Sequence, residues 1–152
     1  MTIVLPAMCE RIIKAAAAEI HPAEAFGVLI GEGELRDHIW VNAVYTYQKC
    51  KRGKDKNGWC WVEVEDEEEE RVNDFFEPDI VGDFHSHPDD TTSISNDDKE
   101  SLLADGDGAV SIVVSVWPGK RHNWCHRMAG YWNDNGKIRR AEIIRIQDYA
   151  KR

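Results

Sequence analysis

Between Val81 and Asp98 the chain reads VGDFHSHPDDTTSISNDD. Ile80 to Phe84 (IVGDF) is short and mostly apolar, which predicts a strand running straight into His85-Ser86-His87. In extended chain, residues two apart leave the same side, so both imidazoles face one way. Two imidazoles on one face can clasp a divalent ion. Asp98 follows His87 by eleven residues and can return at the start of a helix spanning Asn96 to Ala104, with Ser95 or Asn96 as its N-cap. Two His nitrogens and one carboxylate suit Zn²⁺ at ~2.0–2.2 Å, and three protein ligands leave a fourth position for water, the mark of a catalytic site. A lone H-x-H is weak evidence, because strands often carry two unrelated surface histidines. The full string H-x-H-P-x6-S-x2-D is far more specific.

Working outward, Ala7 to Ile20 has the spacing of a helix. Met8, Ile12, Ala16 and Ile20 recur every four residues, with Cys9 and Ile13 widening the stripe, and His21-Pro22 stops it. Phe26 to Ile30 is a buried strand, Gly31 to Gly33 a turn, and Leu35 to Tyr47 one or two further strands. Cys50 to Gly58 (CKRGKDKNG) reads as a basic loop and Trp59 to Val64 as a strand. The acidic run EVEDEEEE, Glu63 to Glu70, opens a helix that ends before Pro78, and its carboxylates form a solvated face. Ala109 to Trp117, His122 to Trp132 and Lys137 to Ile146 form a three-stranded meander with a hairpin turn at Asp134-Asn135-Gly136. The class is α/β or α+β, a largely antiparallel mixed sheet flanked by helices. With no repeat or linker, residues 1–152 form one domain.

Composition narrows the function. The chain has 152 residues, 42% hydrophobic and 31% charged, with net charge −9. That balance speaks against nucleic acid and against an anionic membrane surface, both of which need a basic footprint. No apolar run nears the ~20 residues that span a bilayer, and the N-terminus lacks a secretory pattern, so the cytoplasm is expected. Cys9, Cys50, Cys60 and Cys125 form no C-x-x-C pair and read as free thiols; a Cys50–Cys60 bridge across a hairpin is the minor alternative. His122, Cys125 and His126 read as ordinary strand residues, and His21 and His38 carry no motif. Asp83, Asp89, Asp90 and Asp97 crowd the histidines and are candidates to orient the imidazoles. The tryptophans read as core and sheet-face packing.

The 85–98 string resembles the JAMM motif of the JAB/MPN metalloprotease family. Upstream, PAEAFGVLIG (Pro22 to Gly31) supplies Glu24 beside an apolar strand, with Gly27 and Gly31 where the family has them. The resemblance runs from about Ile3 to Ile146 and implies an MPN-like fold. It implies His85, His87 and Asp98 as ligands of one Zn²⁺, Glu24 as general acid/base and Ser95 as a stabiliser of the tetrahedral oxyanion. Taken alone, Glu24 would pass for a solvated loop acid, because no spacing argument brings it to His85.

The resemblance implies a zinc metallopeptidase cutting a peptide or isopeptide bond after the C-terminal tail of a ubiquitin-like or sulfur-carrier protein. Only Lys99 to Gly108 separate Asp98 from the next strand, so the insertion of larger deubiquitinating members is missing. That points to a minimal, prokaryote-like form. The basic loop 50–58 is a candidate contact for an acidic partner. A non-catalytic MPN scaffold and a zinc hydrolase of small amides are the alternatives. A zinc deaminase is set aside, because H-x-E and P-C-x-x-C are both absent.

Overall fold

In the computed structural model, residues 1–33 and 37–148 are described; Leu35, placed by the sequence in a strand, lies outside them. The first element is one that the sequence reading passed over. β1 (Thr2–Pro6) runs directly into helix α1 (Ala7–Glu19), with Pro6 in extended geometry as the cap residue. No polar break separates the two, and Pro suits the junction because its fixed φ fits a helix entry and no N–H is lost there. Strands β2 (Phe26–Gly33) and β3 (His38–Thr46) form a hairpin. Strands β4 (Cys50–Lys54) and β5 (Cys60–Val64) pair into a small separate sheet, so half of the expected basic loop is strand. Helix α2 (Asp66–Phe76), strand β6 (Ile80–His87), helix α3 (Asn96–Ala104) and strand β7 (Val110–Pro118) follow. After a 3-10 turn at Lys120–His122, β8 (Trp124–Asp134) and β9 (Lys137–Ile146) complete the meander.

The large sheet closes on itself in the order β1-β3-β2-β6-β7-β8-β9, because β1 pairs in parallel with both β3 and β9. The fold is α+β with a mixed sheet, as the pattern predicted. The parallel β6–β7 pair, linked through α3, has the register His85↔Val113 and His87↔Ser115. Ile3, Leu5, Leu29, Val41, Phe84, Ile112 and Val114 are fully buried in the main core with Ile13 of α1. The buried stripe of α1 is Cys9, Ile13 and Ala17, one position on from the expected one. Met8 is half exposed and Ile12 39% exposed. The four-residue repeat drifts around a 3.6-residue helix, and the alanines packed closely on the barrel decide the face. No described helix is long and apolar enough to cross a membrane.

Two glycines mark close approaches. A Cβ on Gly27 would lie 2.2 Å from the Tyr45 carbonyl oxygen and 2.3 Å from the Phe84 ring. On Gly31, at the β2 register shift, it would meet the Trp40 carbonyl oxygen at 1.9 Å. Both spacings are below van der Waals contact, so the β2 path requires glycine at both positions.

All four cysteines are free. The β4–β5 register sets Cys50 opposite Val64 and Lys54 opposite Cys60, which excludes the bridge across this hairpin.

Candidate metal and catalytic site

His85 and His87 are the last residues of β6 on its cleft-facing side. Both are buried, and their ring centroids are 5.1 Å apart. Asp98 reaches them from the first turn of α3. The Ser95 hydroxyl accepts from the Asp98 amide at 3.1 Å, while Asp98 Oδ2 accepts from the Ser95 amide at 2.7 Å. This reciprocal capping box fixes the helix start and holds the aspartate in one orientation. Leu102 then anchors α3 on Val113, Ala129 and Tyr131 of the barrel wall.

Both carboxylate oxygens also face the histidines. His85 Nε2 lies 3.4 Å from Asp98 Oδ1, and His87 Nε2 lies 3.7 Å from Asp98 Oδ2. These are long for hydrogen bonds. They match the separation of two ligands ~2.0–2.2 Å from a shared tetrahedral ion. His85 Nε2 is buried without a hydrogen-bond partner, a costly state unless something else meets it. His87 Nδ1 lies 3.0 Å from the Thr91 carbonyl. A carbonyl only accepts, so that nitrogen carries the proton and Nε2 keeps its lone pair free for a ligand role. Among the described residues these three are the one group of His, Cys, Asp or Glu whose ligand atoms, all within 4.8 Å of one another, could share an ion. The donor set and the orphaned nitrogen both fit Zn²⁺.

Burial would raise Asp98, but the facing His85 and His87 imidazoles win and hold it far below the usual carboxylate range. Burial would lower His87, but Asp98 and the Thr91 carbonyl win and raise it. Both directions have one cause, the closeness of the Asp98 carboxylate to the two imidazoles.

Glu24 lines the same cleft, so the fold brings it and the histidines to one site. The agent is Ser86, the residue between them. Its hydroxyl accepts from the Ala25 amide at 2.7 Å, and its amide donates to the Ala25 carbonyl at 2.9 Å. With Phe26 paired to His85, the acid's loop is stitched to the ligand strand. Burial pushes the Glu24 carboxyl up to about 7, against the opposing pull of His85 and His87. A carboxyl near 7 suits proton transfer at neutral pH.

Several roles differ from the expected ones. Thr91 offers the oxygen that orients His87, in place of the four crowded aspartates. Asp83, half-buried in the cleft lining, accepts from Ser111 Oγ at 2.5 Å, and burial raises it to about 6. Asp89 accepts from the Thr91 amide at 3.0 Å. Ser115 Oγ donates to the Thr91 carbonyl, and Tyr131 Oη donates to the Thr92 carbonyl at 2.7 Å. These hydroxyls hold the 88–95 loop on the barrel, and only the β7 and β8 registers reveal them. Trp59 and Trp61, expected to pack in the core or on a sheet face, are 63% and 42% exposed and line the cleft; of the six tryptophans, Trp132 is in the core. The acidic run is solvated as expected apart from Glu68, which is buried.

The cleft between the β4–β5 hairpin and the 88–98 segment has a volume of about 910 Å³. The model of the prokaryotic homologs of the JAB domain matches residues 6–129, and the chain belongs to that family. A protein from Desulfitobacterium hafniense has a similar solution structure, with a TM-score of 0.67 at 21% identity over 97% of this chain and 95% of that one. A protein from Salinibacter ruber gives 0.59 at 18% identity, covering 98% and 94%. At these identities the likeness is one of fold. No curated protein matches. Family membership supports a JAMM-type hydrolase or an MPN scaffold.

Proposed function

We propose that the protein is a zinc-dependent metallopeptidase that cuts a peptide or isopeptide bond after the C-terminal tail of a ubiquitin-like or sulfur-carrier protein. The observation that carries this reading is the partnerless, buried His85 Nε2 facing Asp98 and His87 in a cleft that also holds Glu24. A scaffold has no use for such a nitrogen, whereas a hydrolase needs it. Zinc bound by His85, His87 and Asp98 would supply Lewis acidity, enough to make water a nucleophile near neutral pH.

The chain's own groups carry the remaining steps. Glu24 takes the proton of the attacking water and returns it to the leaving amine. Ser95 accepts from the Asp98 amide with its lone pair, which leaves its O–H proton to donate to the oxyanion as charge develops. Strand β5 borders the cleft, and among the described residues its strand partner is β4 alone. An extended tail laid beside β5 would gain main-chain hydrogen bonds, the mode by which a flexible Gly-rich segment is best held. α3 runs into β7 without an insertion, so the cleft is left open to a bulky carrier protein.

Glu24→Gln tests the reading. The variant should bind one zinc per chain, as wild type does. Its turnover of a Gly-Gly-terminated protein fused to a reporter should fall about 10²–10⁴-fold. Near wild-type turnover by this variant would remove Glu24 from the chemistry. Wild-type protein that takes up zinc yet cuts neither the fusion nor small amides would favour the scaffold.

A further inference from the structure

The hairpin β4–β5 touches the site through the backbone of the acid. Arg52 Nε donates to the Glu24 carbonyl at 2.8 Å, and Cys60 Sγ lies 3.7 Å from the Pro22 carbonyl. Glu24 sits in the connection between α1 and β2, where no ladder holds its carbonyl. On its far side Ala25 is tied twice to Ser86. On its near side the Ala23 amide donates to the Ile20 carbonyl at 2.8 Å. The Glu24 peptide between these anchors is therefore fixed by a side chain from another element. Arg52 is half-buried, unlike the exposed Lys51 and Lys54 beside it. In sequence it is one more cation of a basic loop that is either solvated or a candidate partner contact.

We infer that Arg52 is a positioning residue that holds the Glu24 carboxylate over the cleft by clamping the Glu24 peptide carbonyl. The inference rests on the reading of Glu24 as the general acid/base. It predicts an effect carried by the donor atom and independent of the guanidinium charge. Because Arg52 belongs to the hairpin that borders the substrate cleft, displacement of the hairpin would also displace the acid, so a docked tail and a correctly placed Glu24 are mechanically linked.

Two substitutions separate donor from charge. In Arg52→Gln the side-chain amide nitrogen stands the same number of bonds from the backbone as arginine Nε, so the donor remains and the charge goes. In Arg52→Met a methyl group stands there, so both go. Turnover of the Gly-Gly fusion by Arg52→Met should fall about 10- to 100-fold in kcat, the scale expected when a catalytic group is misplaced by around an ångström. KM and zinc content should stay within about twofold of wild type, and Arg52→Gln should recover most of the rate. A readout without turnover stands beside this one. In metal-free protein, amide hydrogen exchange across residues 21–26 should accelerate in Arg52→Met and stay near wild type in Arg52→Gln. Equal losses in both variants, with a raised KM, would assign Arg52 to charge recognition of the partner and overturn the inference. Unchanged kcat and unchanged exchange in Arg52→Met would overturn it as well. If wild type proves inactive, the proposed chemistry fails, while the exchange measurement still decides whether Arg52 fixes the Glu24 segment.

Discussion

The cleft has two walls of unequal construction. The wall of His85, His87 and Asp98 is built into the barrel. β6 is laddered to strands on both sides, the capping box locks Asp98, and Ser115 and Tyr131 hold the intervening loop. The wall of Glu24 is a short connection tied to the barrel at Ala25 and to a two-stranded hairpin at Arg52. A metal site demands fixed distances to several ligands at once. A general acid must approach and withdraw from a proton, and a lighter mount serves it. The two walls should therefore fail differently. Damage to the first removes metal and rate together, and damage to the second removes rate alone.

The largest expected effect lies on the first wall. His87→Ala should abolish turnover and also lower zinc content, because two ligands grip far more weakly than three. Wild-type zinc stoichiometry in this variant, measured by atomic absorption on dialysed protein, would remove His87 from the ligand set. Glu24→Gln is its counterpart across the cleft, with zinc retained and rate lost.

A smaller effect should arise one layer back. Ser115 is fully buried opposite His87 in the β6–β7 register, and both bond the Thr91 carbonyl. Ser115→Ala leaves that carbonyl with His87 as a partner but frees the loop to drift. Zinc affinity should weaken by about 10- to 100-fold, the usual scale for a group that orients a metal ligand. Competition with a fluorescent chelator measures this directly. An unchanged Kd would make Ser115 a packing residue only. Should the second wall prove as sensitive to metal removal as the first, the contrast between them is lost.

The two walls were also unequally legible in the sequence. His85 and His87 are two residues apart on a strand, and Asp98 opens a helix whose cap is Ser95, so local rules of strand and helix place all three. Glu24 was recognisable only by its resemblance to a family, because its approach depends on Ser86 and Arg52, and neither side chain advertises that role. Side chains that hold backbone carry no periodic signal. The barrel closure was hidden for a similar reason. β1 is short and apolar and merges into α1 without a turn, and its partners β3 and β9 lie far away in sequence. The first strand of the hairpin, β4, has the composition of a loop because lysine and glycine are poor strand formers, and pairing with Cys60–Val64, a strand already legible in the sequence, overrides that preference. Composition alone places Trp59 and Trp61 in the core or on a sheet face, because most large aromatics are largely buried. Trp61 lies on, and Trp59 just before, a strand of a two-stranded sheet too small to bury both faces, so one face is left to the cleft.

The smallest effect concerns the root of the hairpin and gives the second wall its own signature. Glu68 of α2 is buried and accepts from the Gln48 amide at 3.0 Å, the Lys49 amide at 2.5 Å and Tyr45 Oη at 3.0 Å. Lys49 immediately precedes β4, so this carboxylate pins the point from which the hairpin springs. Burial would raise the Glu68 pKa, but the three donors win and lower it below its ordinary 4.5. A lowered value in the folded protein means that the ionised form stabilises the fold. The contribution is complete above the unfolded value and fades as pH falls through the folded one. Glu68→Gln should therefore cost roughly 1–3 kcal/mol at pH 7, the range for hydrogen bonds to a charged group. Urea unfolding at a series of pH values should show the gap from wild type narrowing below about pH 4.5. Zinc content should be unaffected, since the Glu68 carboxylate bonds to the 45–49 segment and not to a residue of the His85–His87–Asp98 group. A gap that stays constant into acid would mean that Glu68 holds the 48–49 turn as a neutral acid. The hairpin, and Arg52 with it, would then rest on packing of Val64 and Cys50 against Val28, Tyr47 and Val72.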